Sequence, residues 1–332
     1  MFASGASSKN AGFACFGSLS ELLADWQTMG PERALQLVEN RWRGLQRLEQ
    51  RLGAGRIGLK RYGGYELLRQ EELHFLDKIT EVNQWLRPLF RQEVFANAGR
   101  QIFGFGFNPE VIKGQIFNPL EGQVDTGLLM KNLAAYARQM GVEVLTGQSV
   151  QRLEVHENSV AAVVKNPVGG EEVTFTARAL GVCTNAFTPS LLPNTELKPG
   201  RGQVLVTEAV EGLPWRGTFH MEEGYYYFRN YGRQVILGGG RQRDFAGETT
   251  TDIALNASIQ EHLDWLLKTV LLPGRAVQVQ HRWAGIMAFG PTKEPIVQRV
   301  QNRVAVGVRL GGMGVALGSR VGEQVAELLL EA

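Results

Sequence analysis

Three stretches of the sequence carry residues whose types and spacing could do chemistry. The first is VAVGVRLGGMGVALGSRVGEQVAELLL, residues 304–330. Its apolar start reads as a buried strand. Gly311, Gly312, Met313 and Gly314 then form a turn, and a helical pattern follows. Residues without side chains let backbone N–H groups approach a ligand, and a helix start adds partial positive charge. A tight strand-to-helix turn with no ligand would carry the same glycines. The second stretch is GYYYFRN, residues 224–230. In a strand Tyr225 and Tyr227 share one face and Tyr226 takes the other. Two phenols beside Arg229 could line a pocket for an amine or a carboxylate, although a sheet face packed on a helix gives the same pattern. The third is HRW at 281–283, with His281 as a conceivable base and Arg282 as an anion clamp. An isolated strand histidine is more often packed or solvent-facing. Arg201, Arg241 and Arg243 read as surface or structural pairing unless the fold turns them inward.

Bulk properties narrow the classes. A chain of 332 residues suits one large domain or two interleaved ones. Hydrophobic content of 44% and charged content of 20% describe an ordinary globular protein. A net charge of +2, with no block of Lys and Arg, gives no electrostatic case for nucleic acid. The forty glycines exceed the usual share of about 7% and cluster where backbones must approach something closely, which favours a cofactor protein. Cys15 and Cys183 make neither a disulfide framework nor a metal cluster, and they fit a reducing, cytoplasmic compartment. The five histidines lack metal-site spacing. No apolar run approaches the ~20 residues that span a bilayer, and no signal peptide is read at the start.

The elements that must position these residues follow from periodicity. Residues 18–52 are helical, with Pro31 starting a second helix. Residues 57–69 read as a strand pair around Gly63-Gly64, and 70–91 as helix. Asp125 or Thr126 caps a helix to Met140 that buries Leu128, Leu129, Leu133, Tyr136 and Ala137, and Gly141 stops it. Residues 142–147 are predicted as a strand, and 149–166 as a hairpin turning at Glu157-Asn158. Strands over 173–183, 201–210, 224–232 and 233–241 precede a helix near 252–271. The strand VQVQHRWAGIMAF leads on to the terminal strand, glycine turn and helix. The opening MFASGASSKNAGFACFG has the Gly, Ala, Ser and Asn of a loop held against a cofactor, with only Met1, Phe2 and Ala3 before it.

Taken in order, these segments resemble the glycine oxidase / D-amino-acid oxidase / sarcosine oxidase superfamily of FAD-dependent oxidoreductases over nearly the whole chain. SGASSKNAGF resembles the family's loop near flavin and pyrophosphate, which implies cofactor contacts at Ser7, Ser8, Asn10, Ala11 and Gly12. EGQVDTGLLMKNLAAYARQMGVEVLTGQSVQRLE is similar to the helix and strand leading to an adenine-side valine, here Val150, binding through its backbone. LGVCTNAFTPSLLP resembles a cofactor-contacting strand and turn, which implies Thr184, Asn185 and Ala186 near the phosphates. PGRGQVLVT, GYYYFRN, LGGGR and RWAGIMAFGPTKEPIV resemble the substrate-domain strands and the returning strand. VGVRLGGMGVALGSRVGEQVAELL resembles the terminal flavin-contacting turn, with Gly311, Gly312, Met313 and Gly314 along the ring.

The resemblance implies a mixed α/β and α+β fold in which a Rossmann-like FAD-binding domain interleaves with an antiparallel-sheet substrate domain. The FAD-binding parts would be 1–52, 120–200 and 280–332, and the substrate parts 53–119 and 201–279. Three departures stand out. The family's first strand, GxGxxG turn and helix are not in this sequence, an N-terminal truncation of about 30 residues, one βαβ unit. Met287 stands where relatives often carry a carboxylate-binding arginine, so Arg229 or Arg309 would have to substitute, or the substrate is an amine without a carboxylate. The returning strand has no cysteine for flavin attachment, so FAD is expected to be noncovalent. The implied reaction removes hydride from a carbon bearing an amine, with Tyr225, Tyr227 and Arg229 positioning a small-molecule amine or amino acid. The alternative is a truncated, non-catalytic or partner-dependent relative that cannot bind FAD by itself.

Overall fold

The structure, a computed structural model, describes residues 4–166 and 169–331. Met1 to Ala3, read above as a short lead-in, lie outside the described residues. An eight-stranded sheet forms the largest part. Its order is Val279–Phe289, Lys198–Thr207, Gln234–Gly239, Tyr226–Tyr231, Thr218–Met221, Gly64–Leu68, Gly114–Asn118, Ala96–Asn97. Every neighbour pair is antiparallel except Thr218–Met221 with Gly64–Leu68. The strand Val279–Phe289 thus joins the sheet that the sequence assigns to the substrate domain.

Period-two alternation gives this sheet two different faces. Leu205, Tyr226, Phe228, Val235 and Leu237 point to one side, where Trp215, Phe107 and the segment Ala257–Leu271 close over them. Phe219 and Phe228 stack there with centroids 4.6 Å apart, a geometry that adds to simple burial. Tyr227, Val204, Val206, Ile236 and Trp283 point to the other side and meet Ala11 and Phe13 of the opening segment. The tyrosine alternation expected from GYYYFRN is therefore present: Tyr226 is core, and Tyr227 faces the opening loop.

Helices Leu19–Met29 and Pro31–Leu52 fit the periodic pattern, with Pro31 at the first helical position. Ser18 caps the first of them, and the Glu21 carboxylate accepts from the Ser18 backbone N–H at 3.1 Å. Helix Pro31–Leu52 packs on the terminal helix Gly314–Leu330. Gly44 is what allows their approach, since a Cβ there would sit on the Ala316 carbonyl oxygen, far inside van der Waals contact.

A three-stranded sheet pairs Ile296–Gln301 with Val304–Val308, and Val304–Val308 in parallel with Leu180–Val182. A separate antiparallel sheet contains Ser149–Val155, Val160–Lys165 and Glu172–Ala177. Three local expectations are corrected. Residues 57–69 give only the strand Gly64–Leu68 plus an isolated bridge from Lys60 to Gln123, because the Gly63 turn sends the chain into the large sheet rather than back on itself. Residues 142–147 form no strand and find no pairing partner among the described residues, which leaves Val142 and Leu145 each 53% exposed. Helix Thr126–Gln139 buries Leu129 and Ala134, whereas Leu128 and Leu133 face solvent.

Candidate active site

The opening loop is braced internally before it meets anything else. Residues Ala6–Lys9 make one helical turn. Asn10 donates to the carbonyls of Ala6 (3.0 Å) and Ser7 (2.9 Å) and accepts from the Gly12 N–H at 2.8 Å. Gly12 has φ +75°, a left-handed conformation in which glycine is unstrained. Val124 N–H donates to its carbonyl at 2.8 Å. The braced loop is then clamped to the sheet. Trp283 Nε1 donates to the Lys9 carbonyl at 2.7 Å, and Arg229 Nε donates to the Ala11 carbonyl.

Arg229 is 3% exposed, and its other two nitrogens donate to the carbonyls of Asn230 (3.3 Å) and Val124 (3.2 Å). Burial lowers its pKa to about 10, against the opposing influence of Asp125. The expectation that Arg229 grips substrate is therefore corrected: this guanidinium fastens the opening loop to the sheet. The other considered substitute, Arg309, donates to the carbonyls of Glu294 (2.9 Å) and Glu196 (3.1 Å) and is likewise engaged. His281 is exposed, and Arg282 forms a two-bond pair with Asp264 at 2.7 and 2.8 Å, so HRW supplies neither a base nor an anion clamp. Arg201 pairs with buried Glu248 at 2.7 Å, as its structural reading anticipated.

Farther along the same sheet face lies an arginine of a different kind. Glycines at 200, 202 and 238 leave a flat floor, and side chains lie directly on it. A Cβ on Gly202 would come within 2.8 Å of Met287 Cε, and one on Gly238 within 2.6 Å of the Tyr227 ring. At Gly200 the occupants are Phe289 and Arg241. The Arg241 guanidinium carbon sits 3.9 Å from the Phe289 ring centre and 5.0 Å from that of Phe245. Among the described residues its side chain has no hydrogen bond and no ion pair. Burial lowers its pKa, against the opposing influence of Tyr225 and Glu248, and aromatic faces hold the cation. Tyr225 meets Phe245 edge-on at 6.0 Å and is 39% exposed, and Tyr227 meets Phe13 edge-on at 5.8 Å. The sequence reading placed Arg241 in the background. The signal for it was LGGGR: three consecutive glycines at the end of a strand, followed directly by a cation.

The residues named for the cofactor fall into two groups. Gly311 has φ +56°, and a Cβ on either Gly311 or Gly312 would meet nothing within 4 Å. Helix Gly314–Leu330 begins at Met313 with no side-chain cap. In this turn the Gly311 N–H donates to the Ala288 carbonyl and the Met313 N–H to the Leu310 carbonyl, both at 3.0 Å, so that Gly312 and Gly314, at the start of an uncapped 17-residue helix, are the ones whose N–H groups fit the electron-rich edge of a flavin ring. Met313 Sδ lies 3.8 Å from Cys15 Sγ, which brings the turn beside the opening strand Phe13–Ala14. Asn185, at φ +47°, accepts from the N–H groups of Arg309 (3.0 Å) and Leu310 (3.4 Å) and thereby fixes the approach to the same turn. Thr184 exchanges a hydroxyl hydrogen bond with Thr188 at 2.9 Å. Ser7 is exposed, and Ser8 Oγ donates to the Gly5 carbonyl at 3.2 Å. Val150 stands apart on the small antiparallel sheet, paired with Val164. The fit of these residues is to the ring end of the cofactor.

The fold has counterparts among known proteins. A glycine oxidase from Geobacillus kaustophilus superposes with a TM-score of 0.77 at 19% identity, covering 99% of this chain and 85% of that one. An iminodiacetate oxidase from Chelativorans sp. BNC1 gives 0.77 at 18%, covering 98% and 86%. The FAD-bound L-alpha-glycerophosphate oxidase from Mycoplasma pneumoniae gives 0.76 at 13%, covering 98% and 85%. No curated protein matches the sequence significantly. The family model described as DAO, FAD dependent oxidoreductase, matches residues 1–328. With that match over nearly all of its length, the chain belongs to the DAO family of FAD-dependent oxidoreductases.

Proposed function

We propose that this protein oxidises a carbon–nitrogen bond of an amino acid or a related amine bearing a carboxylate. The observation that carries the substrate class is Arg241, a half-buried guanidinium with no anionic partner, framed by Phe245 and Phe289 and beside Tyr225. Such a group accepts a carboxylate in a two-bond pair and strengthens that pair by shielding it from water. The glycine oxidase and the iminodiacetate oxidase to which the chain is similar are named for carboxylate-bearing amines, which supports the reading.

FAD, when bound, supplies the hydride acceptor. The chain's own residues hold and orient. Gly312 and Gly314 would hold the ring edge through backbone N–H groups, with Gly311 and Met313 shaping the turn and Asn10, Ala11 and Gly12 across from them. Tyr227 and Met287 form the floor of the substrate site and exclude water from it. No side-chain base is assigned, since an amine that arrives neutral needs none. Noncovalent attachment fits a returning strand without cysteine. A cytoplasmic setting fits two free thiols, and among the described residues no helix is long and apolar enough to cross a membrane.

The test is spectroscopic. Purified protein supplied with FAD should show the flavin bands, and glycine, iminodiacetate and other short amino acids should bleach them without oxygen. A folded protein that takes up no FAD would refute the oxidoreductase reading for this chain. Bleaching by simple amines but by no amino acid would refute the carboxylate.

A further inference from the structure

Beneath the opening strand lies a buried cluster that the proposed reaction does not use. Cys15, Glu121 and His220 are 3%, 2% and 5% exposed and come from three separate segments. A thiol sulfur, a carboxylate oxygen and an imidazole nitrogen lie within 4.8 Å of one another. Glu121 Oε1 accepts from the Phe16 N–H at 3.2 Å, while Oε2 lies 3.7 Å from His220 Nε2. That separation is too long for a hydrogen bond, and Nε2 has no hydrogen-bond partner although it is buried. Two ligand atoms on one tetrahedral zinc, with bonds of about 2.0–2.3 Å, stand about 3.3–3.8 Å apart.

Behind the imidazole, His220 Nδ1 faces Glu21 Oε2 at 3.6 Å, likewise beyond hydrogen-bond reach, and Glu21 is itself held by Ser18 N–H and Oγ at 3.1 and 3.2 Å. A carboxylate behind the far nitrogen of an imidazole is the arrangement that orients a metal-binding histidine. A small cavity lined by Ser18, Gly64, Asn118, Glu121 and His220, but not by Cys15, adjoins the cluster. Charge points the same way. Asp25 pairs with Arg41 (3.3 Å) and Lys293 (3.0 Å), and Lys293 also lies 3.8 Å from Glu21, whereas among the described residues no Lys or Arg pairs with Glu121.

We propose that Cys15, Glu121 and His220 bind one zinc ion, with Glu21 holding the imidazole and a water as fourth ligand. Binding forms three protein–zinc bonds, displaces the thiol proton to solvent and makes no redox demand. The ion ties the opening strand to the sheet directly under the substrate floor, because the Phe13 ring sits edge-on to both His220 (5.2 Å) and Tyr227 (5.8 Å). The site would be a structural brace, independent of whether FAD is loaded.

The experiment uses the full chain purified without chelators. Elemental analysis should find about one zinc per chain. After zinc removal, added Co2+ should produce a thiolate-to-cobalt charge-transfer band. Cys183→Ser should keep metal and band, while Cys15→Ala should lose both. Glu21→Gln, which keeps every ligand, should weaken zinc in a chelator competition by about 10–100-fold. Folded wild-type protein that holds less than a tenth of an equivalent of zinc and shows no cobalt–thiolate band overturns the proposal. So does metal that survives unchanged in folded Cys15→Ala. If Cys15→Ala does not fold, the wild-type cobalt spectrum and the Glu21→Gln competition decide.

Discussion

Arg229 and Arg241 lie twelve positions apart on neighbouring parts of one sheet face, and their surroundings give them opposite work. Arg229 sits under three backbone carbonyls, so replacing it orphans buried acceptors, a cost of stability rather than of substrate affinity. Arg241 has aromatic walls and no acceptor. A charged hydrogen-bonded contact contributes about 1.5–3 kcal/mol, roughly 10–100-fold in binding. Arg241→Met should therefore raise KM for an amino-acid substrate by about that factor, leave the melting temperature near that of wild type, and leave turnover of an amine lacking a carboxylate unchanged. Steady-state kinetics on the paired substrates checks this, and an equal loss on both would show that Arg241 shapes the pocket without reading the carboxylate. Sequence pattern could place both arginines but could not rank them. Strand alternation says which face a residue takes, while the carbonyls that reach it come from a loop more than a hundred residues away, as Val124 does for Arg229. Cys15, Glu121 and His220 were illegible for the same reason. Their spacing fits no metal motif, and only the folded chain brings the three segments together.

At the scale of elements, strong periodicity was readable and edges were not. The helices Leu19–Met29, Pro31–Leu52 and Gly314–Leu330 declare themselves through apolar repeats, a proline start and a glycine turn. Residues 142–147 carry a good strand pattern and form none, because a strand exists only where a partner accepts its hydrogen bonds. Gly44 shows a further kind of information that pattern hides. It lies inside a helix, where glycine costs stability relative to alanine, so local propensity alone would favour Gly44→Ala. The crossing with the terminal helix reverses that sign, since the new Cβ would press on the Ala316 backbone, which cannot swing aside as a side chain can. Overpacking of this type costs about 1–3 kcal/mol. Gly44→Ala should lower the chemical-denaturation midpoint accordingly. It should also weaken FAD uptake, because the displaced helix carries the Gly311–Gly314 turn at its start. A midpoint equal to or above that of wild type would mean that the two helices can separate freely.

Across the whole molecule, burial is distributed unevenly. The large sheet is sealed on one face by a continuous aromatic and aliphatic cluster from Leu67 to Leu272. In the small antiparallel sheet the strand Glu172–Ala177 is exposed at every position, with Val173 and Phe175 each 42% exposed. Local opening costs least where few apolar contacts must be broken, so protection from hydrogen exchange should follow the same gradient. Amides of Leu205, Phe228 and Leu237 should exchange last, and those of Glu172–Ala177 among the first, with proteolysis beginning near 142–147. A ligand that binds only the folded state adds protection to whatever must be closed to hold it. If the turn at Gly311–Gly314 and the loop at Asn10–Gly12 hold the flavin, adding FAD should slow exchange at those amides first, while the already slow central strands change little. Protection confined to the large sheet, with the glycine turn unaffected, would place the cofactor elsewhere.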